Sequence, residues 1–271
     1  MESGYWNRVA ASMEGSYHLD PAMAERKRAV HLDLLRRWCP SPTGRVLKTD
    51  LFEEAFEKDR ILPDWPGPEG EEPVYGVDIA PRIAGTAARR LARSPRPVRV
   101  AAADALHLPF RDGAFDLVYG CSTLDHFADR RDLLRGLDET ARVVRPGGFL
   151  VMVLDNPEAR FHPLVRFLGR FGLFRFRLGE TLSVDRLAGE LERLGLETLD
   201  RRHIFHVPRV WASAAFRILR ALRLPAERIL GGRLDRMERK GAAGKGRRTG
   251  WYGAVLARRP GGGSDREEDG R

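Results

Sequence analysis

The chain has 271 residues, 42% of them hydrophobic, enough for one large domain or one domain with a cap. Its net charge of +9 comes almost wholly from Arg, since the only lysines are Lys27, Lys48, Lys58, Lys240 and Lys245, and no motif that reads nucleic acid accompanies it, so nucleic acid ranks last among partners. Two cysteines, Cys39 and Cys121, exclude a disulfide framework or a cysteine metal cluster, no apolar run is long enough to span a bilayer, and the N-terminus lacks the apolar core of a signal peptide, so a cytoplasmic protein without a metal is expected.

Residues 1–43 are expected to form an N-terminal helical cap. Met23 to Trp38 carries apolar residues at helical spacing (Ala29, Val30, Leu32, Leu34, Leu35, Trp38), and Pro40 stops it. Tyr5, Trp6, Tyr17 and His18 lie upstream. Gly44–Lys48 reads as the first strand. In VLKTDLFEEAFEKDRIL, Asp50 with Glu53 three residues on forms a capping box, and the helix turns Leu51, Ala55, Ile61 and Leu62 inward. Pro63–Pro73 is a loop, Val74–Val77 a strand ending in Asp78, and Pro81 to Leu91 a helix.

The stretch from Val98 to Pro157 organises the rest. Val98 and Val100 lead to Asp104. The apolar run Phe115–Tyr119 leads to a loop with Ser122, Asp125 and His126. Leu133, Leu134, Leu137, Ala141 and Val144 mark a helix, Pro146-Gly147-Gly148 stops it, and Phe149–Leu154 is a strand that ends at Asp155-Asn156. Strand, turn, strand, helix, glycine turn, strand is half of a doubly wound α/β sheet, where ligands bind at the carboxyl ends of the strands. Beyond it, Phe161–Phe176 alternates Phe and Leu with Arg at irregular spacing and reads either as a substrate cap or as an element lying on a membrane surface. Ser183–Leu194 is a helix ended by Gly195, Leu196–Val207 a strand with His203 and His206, and Arg209–Arg239 an amphipathic helical insert. Gly241–Gly250 reads as a basic flexible loop, Trp251–Ala257 as the last strand, and Pro260–Arg271 as disordered.

Asp104-Ala105 followed by Leu108-Pro109-Phe110, then FDLVYGCSTLDHF, then a helix ending RVVRPGG before a strand, stand in one order at one spacing. In this the chain resembles the class I S-adenosylmethionine-dependent methyltransferases, in the broad type 11-like group that includes small-molecule and quinone C- and O-methyltransferases. The resemblance runs from about Gly44 to Gly195, plus the terminal strand. It implies a seven-stranded Rossmann-like sheet, parallel except for an antiparallel C-terminal strand, with helices on both faces. A domain over 44–258 would then carry helical cap inserts at about 157–180 and 209–250, followed by a tail over 259–271. It implies S-adenosyl-L-methionine as cofactor, with Asp78 on the ribose hydroxyls, Ile79 on the adenine, Asp104 and the Ala105 amide on the adenine edge, and Cys121 and Ser122 beside them.

The chain departs from that family at the first turn. Lys48 stands where the family has an acid, and Asp50, Phe52 and Glu54 stand at its glycine positions. Two readings of this turn stay open. Asp50 could pair with the cofactor's ammonium while Thr49 offers its hydroxyl or amide to the carboxylate. Alternatively Asp50 only caps the helix, and the chain is a methyltransferase fold that has lost its cofactor and serves as a binding module.

Methyl transfer is an in-line displacement that needs an aligned nucleophile and sometimes a base, and it needs no metal. Asp125, His126, Asp155, His162 and His206 are candidate bases at strand ends, and His126 leads because imidazole titrates near neutral pH. A nicotinamide oxidoreductase would need a glycine-rich first turn, and a hydrolase of the nucleophile-elbow type would need Gly-x-Ser-x-Gly; neither is present. The expected acceptor is a small molecule, methylated on oxygen, nitrogen or carbon, with a membrane-surface lipid or quinone as the alternative through 161–176.

Overall fold

A computed structural model describes residues 3–13, 20–39, 44–56, 59–65, 72–94, 96–169, 171, 177–244 and 246–261. Tyr17 and His18, part of Phe161–Phe176 and nearly all of the expected disordered tail lie outside the described residues.

Two helices precede the sheet, α1 (Ser3–Met13) and α2 (Pro21–Trp38). Asp20 starts α2 by accepting from the Ala22 N–H at 2.9 Å, with Pro21 in the first turn, where its missing N–H costs nothing. The chain then alternates strands and helices: β1 (Val46–Lys48), α3 (Phe52–Phe56), β2 (Val74–Asp78), α4 (Pro81–Leu91), β3 (Val98–Ala102), β4 (Phe115–Cys121), α5 (Arg130–Val143) and β5 (Val144–Asp155). After the sheet's centre come α6 (His162–Gly169), α7 (Val184–Arg193), β6 (Glu197–Ile204), α8 (Arg209–Ala221), α9 (Ala226–Ala243) and β7 (Tyr252–Arg258).

The sheet order is β3-β2-β1-β4-β5-β7-β6, with β7 antiparallel to both its neighbours and the remaining pairs parallel. This is the doubly wound sheet expected from the sequence, with its antiparallel C-terminal strand inserted between β5 and β6. Period-2 alternation divides the core. Leu117, Tyr119, Cys121, Val151 and Val153 pack with Leu32, Leu35, Ile83 and Ala87 on one face. Val118, Leu150, Met152 and Leu154 pack with Leu133, Leu137, Leu187 and Leu191 on the other. Caps mark helix starts on that second face: Asp129 accepts from Arg131 at α5, and Ser183 from Arg186 at α7.

Several elements differ from their expected bounds, among them the helix after the first turn, which spans Phe52–Phe56 and does not carry Ile61 and Leu62. Pro146-Gly147-Gly148 does not separate helix from strand; it lies within β5, which bends there with a register shift against β4 and a φ of +76° at Gly147. The helical insert after β6 consists of two helices, turned at Arg223. The second of them extends through Gly241 to Ala243, into the stretch expected to be a loop.

Candidate functional site

A cleft enclosing about 970 Å³, partly open to solvent, lies over the carboxyl ends of the strands. Four successive strand ends supply its floor: Thr49 and Asp50 after β1, Asp78 and Ile79 at β2, Asp104 and Ala105 after β3, and Ser122 and Thr123 after β4. The doubly wound order brings these residues together because each strand runs parallel to the next and ends at the same edge.

The first turn is held by side chains instead of glycines. The Asp50 carboxylate accepts from the Phe52 N–H at 2.9 Å, and Asp78 accepts from Leu51 N–H at 3.2 Å and from Ala80 N–H at 2.9 Å. Beneath the turn Lys48 is wholly buried and donates to the Asp50 carbonyl, with Glu53 at 3.4 Å and Glu54 at 3.7 Å. Lys27, reaching in from α2, pairs with Glu53 at 2.9 Å and Asp59 at 3.0 Å. Burial works against both ammonium groups. The carboxylates outweigh it and raise both lysines above their ordinary range, through Asp59 and Glu53 at Lys27, and Glu53, Asp50 and Glu54 at Lys48. Burial also works against an ionised Glu53, but Lys27 and Lys48 outweigh it and push Glu53 well below the usual carboxylate range.

Asp50 moves the other way. Burial, then the charge of Glu53, raise its pKa well above the ordinary value, against the pull of Lys48. Burial raises Asp78 to about 6, against the hydrogen bonds from Ala80 and Leu51. Acid outnumbers base around this turn, where Lys27 and Lys48 face Asp50, Glu53, Glu54, Asp59 and Asp78. Thr49 lines the cleft, and its Oγ1, beside Gly120, is buried with no partner among the described residues.

The β4 loop forms the opposite wall. Ser122 takes a left-handed φ of +50°, donates its N–H to the Val153 carbonyl at 2.9 Å and its hydroxyl to Asp125 Oδ2 at 3.1 Å. The same Oδ2 accepts the Asp155 N–H at 2.7 Å. Asp125, expected among the catalytic candidates, is therefore a tie beneath the loop: it is 3% exposed and does not line the cleft, and burial followed by the Asp155 charge raises it to about 6. Thr123 donates to the Thr49 carbonyl at 2.8 Å and ties this wall to the first turn.

His126 lines the cleft and meets Trp6 edge-on, with ring centroids 5.0 Å apart. Its Nδ1 lies 3.0 Å from the Arg177 carbonyl, so the neutral ring that donates there carries its basic nitrogen at Nε2. Residues 177–180 lie along the loop as a strap: Gly179 N–H donates to Asp125 at 2.9 Å and Glu180 N–H to Phe127 at 2.7 Å. A side chain at Gly179 would put Cβ 2.2 Å from the Phe127 carbonyl oxygen, so this approach requires glycine. Tyr5 accepts the Arg177 N–H at 2.7 Å, which fastens α1 to the same strap.

Two expected residues point elsewhere. Cys121 shares the strand face of Tyr119 and Leu117, so its thiol turns into the core with Sγ 3.8 Å from His31 Nδ1, and burial pushes its pKa up to about 12. His206 is buried outside the cleft, with Nδ1 2.8 Å from Thr249 Oγ1 and Nε2 3.0 Å from the His203 carbonyl, where it anchors the turn before β7. Asp155 lines the cleft; His162 does not.

Sequence reasoning missed Lys27, Arg209, Leu178 and Tyr252 as lining residues. They arrive from helices, the strap and the last strand, with no local motif to announce them. Arg209 Nη1 donates to the Tyr252 hydroxyl at 3.1 Å, and the guanidinium lies 4.5 Å over the Trp251 ring. No carboxylate among the described residues makes an ion pair with it.

Residues 62–152 match a family model described as a methyltransferase domain. A demethylmenaquinone methyltransferase of Thermus thermophilus is 36% identical over 118 residues, 38% of this chain and 52% of that protein. The enzyme of the same name from Deinococcus radiodurans is 34% identical over 158 residues, 52% of this chain and 64% of that protein. The chain thus spans about half to two thirds of the length of these curated relatives. In structure it is similar to an S-adenosylmethionine-dependent methyltransferase of Thermotoga maritima, with a TM-score of 0.60 and 15% identity over 95% of this chain and 100% of that one. The methyltransferase-domain match, running from the turn before β2 into the middle of β5, thus lies on a sheet with the fold of the class I S-adenosylmethionine-dependent methyltransferases, which the chain resembles.

Proposed function

We propose that the chain transfers the methyl group of S-adenosylmethionine to an oxygen, nitrogen or carbon of a small-molecule acceptor. The observation that carries this is the convergence of Asp50, Asp78 and Asp104 from three strand ends on one cleft with an acid surplus. The residues present fit the cofactor. Asp104 Oδ1 takes the Leu106 N–H at 2.9 Å, and each Asp78 oxygen takes one backbone N–H, so both carboxylates retain acceptor capacity for a nucleoside. Thr49 Oγ1, buried and without a partner among the described residues, suits the amino-acid end of the cofactor. When bound, the cofactor supplies a methyl group on a positively charged sulfur, and the surplus of acid favours that charge.

The chain's own part is alignment and proton handling. Trp6, the strap at Leu178 and the β4 loop wall off the cleft, and Ser122 and Asp155 are fixed through Asp125. His126 Nε2 takes the proton from an acceptor O–H or N–H as the methyl group arrives. Arg209, held on Trp251 and Tyr252, suits an acceptor with an ionisable oxygen, and the demethylmenaquinone methyltransferases among the relatives point to phenol or quinol acceptors as the finer reading.

A second reading has its own observation: Asp50, Phe52 and Glu54 stand where glycines would let a ligand approach the backbone, which suits a binding protein without the cofactor. Isothermal titration with S-adenosylmethionine tests the two. Binding, followed by label transfer from methyl-labelled cofactor to naphthol or quinol acceptors, is the expected result. Absence of binding by a folded chain would establish the second reading.

A further inference from the structure

Helix α8 is built inside out. Val210, Trp211, Ala214, Ile218, Ala221 and Leu222 fall on one arc of about 120° at 3.6 residues per turn, and every one of them is exposed. Trp211 is 72% exposed, Leu222 63% and Ile218 60%. The buried side of the helix is the smaller one, Ala212, Ser213 and Phe216, packed into the core cluster that includes α2 and α9. A helix that turns a tryptophan and its large aliphatics to solvent has an unpartnered apolar face.

The surroundings of this face specify what covers it. Arg217 borders the apolar arc on α8, Arg223 follows at the turn beyond its C-terminus, and Arg228 lies on α9; all are exposed, and none makes an ion pair among the described residues. A second exposed apolar set, Phe161, Leu164 and Phe167, lies on and just before α6, beside Arg166. Both sets are tied to the cleft. Arg209, the first residue of α8, lines it, and α6 begins seven residues beyond Asp155, which also lines it. Apolar side chains with tryptophan on one face and arginines at its margin match a helix lying in the interface of an anionic bilayer. No helix among the described residues is long and apolar enough to cross a membrane, which leaves surface attachment as the mode.

We infer that α8, assisted by α6, docks the protein on an anionic lipid surface, and that the docked helix sets the cleft mouth at the bilayer, where an amphiphilic acceptor resides. The docking rests on the exposed face alone; the statement about the acceptor rests also on the methyl-transfer reading.

Sedimentation with vesicles of phosphatidylcholine and phosphatidylglycerol, against vesicles of phosphatidylcholine alone, tests the docking. The full chain should sediment with the anionic vesicles, more strongly at low salt. Trp211→Ser/Ile218→Ser should weaken this about tenfold or more, with melting temperature and S-adenosylmethionine affinity unchanged. Arg217→Glu/Arg223→Glu should weaken it and remove its salt dependence, which keeps the test open if the apolar variant misfolds. A chain that stays in the supernatant, or an apolar variant that binds as the parent does, overturns the proposal. A parent dimer converted to a monomer by Trp211→Ser/Ile218→Ser, without vesicle binding, overturns it in favour of a second copy as the occupant. Failure of S-adenosylmethionine to bind would remove the methyl-transfer reading and leave a positive vesicle result standing.

Discussion

Binding of S-adenosylmethionine should release a proton from Asp50. In the free chain this carboxyl is held well above its ordinary pKa by burial and by the Glu53 charge, against the pull of Lys48, while Glu53 stays ionised beside Lys27 and Lys48. A protonated Asp50 can donate to a neighbouring carboxylate, Glu53 or Asp78. A cofactor ammonium at Asp50 favours the ionised form, so the proton leaves on binding. The sign follows: affinity rises as pH rises towards the free-state pKa of Asp50 and is lost as pH falls, by up to about tenfold per pH unit for one proton, or about 1.4 kcal/mol. Asp50→Asn tests the cause. The introduced amide still accepts from the Phe52 N–H and donates to Glu53, so the unliganded melting temperature should hold or rise slightly. The charge-assisted bond to the ammonium is lost, about 1.5–3 kcal/mol, or an affinity loss of roughly ten- to a hundredfold. Titration calorimetry in buffers of different ionisation heat measures the released proton directly. The variant should release none at this site, and 5′-methylthioadenosine, which lacks the amino-acid end, should bind both proteins alike. Equal S-adenosylmethionine affinity in parent and variant, or a parent affinity flat in pH with no proton released, would refute the reasoning.

Asp78→Ala should lower melting temperature and cofactor affinity together, because it strips acceptors from the Leu51 and Ala80 amides at about 1–3 kcal/mol each; Asp104→Ala removes one backbone bond and is the cleaner test, weakening S-adenosylmethionine and 5′-methylthioadenosine equally. His126→Asn keeps a donor for the Arg177 carbonyl, so kcat should fall about a hundredfold or more with cofactor affinity unchanged, measured by stopped-time methyl transfer. Arg209→Met should raise KM for an acceptor with an ionisable oxygen by about tenfold or more and leave cofactor binding alone; an unchanged KM would place the acceptor elsewhere. Lys48→Met should cost about 3–5 kcal/mol in a denaturant titration, since it strands Glu54 and removes the donor from the Asp50 carbonyl while Glu53 keeps Lys27, and Lys48→Met/Glu54→Gln should recover part of it.

The sheet was legible because its signals are local. Pro21, Pro81, Asp129 and Ser183 mark helix starts within one turn, and the buried runs of β4 and β5 need no partner to be recognised. The strand-end acids were legible for the same reason: each closes an apolar run. Side-chain direction was not. Cys121 and Ser122 are adjacent, yet the left-handed φ at Ser122 separates a core thiol from a cleft hydroxyl. His206 follows β6 by two residues, but Phe205 also has a positive φ, of 60°, and the imidazole closes on Thr249 instead of the cleft. Arg209 and Tyr252 meet across 43 residues of sequence, a pairing that only the antiparallel return of β7 between β5 and β6 creates.

The first turn carries the broadest consequence. A glycine turn binds by shape: bare backbone amides approach a ligand and leave no charge behind. Here the turn is supported from below by a buried lysine on its carbonyl and from the side by Asp78 on the Leu51 amide, and those two bonds fix a backbone that glycine would leave mobile. Burying Lys48 requires Glu53 and Glu54 to neutralise it, and Lys27 with Asp59 completes the pairing. Asp50 and Asp78 line the cleft beside these pairs, and burial raises both against the pull of Lys48, as it also raises Glu54 beneath the turn. On the proposed reading, side chains at the glycine positions would make the site select by charge instead of by contact, and would tie ligand affinity to pH at the same residues that hold the turn together.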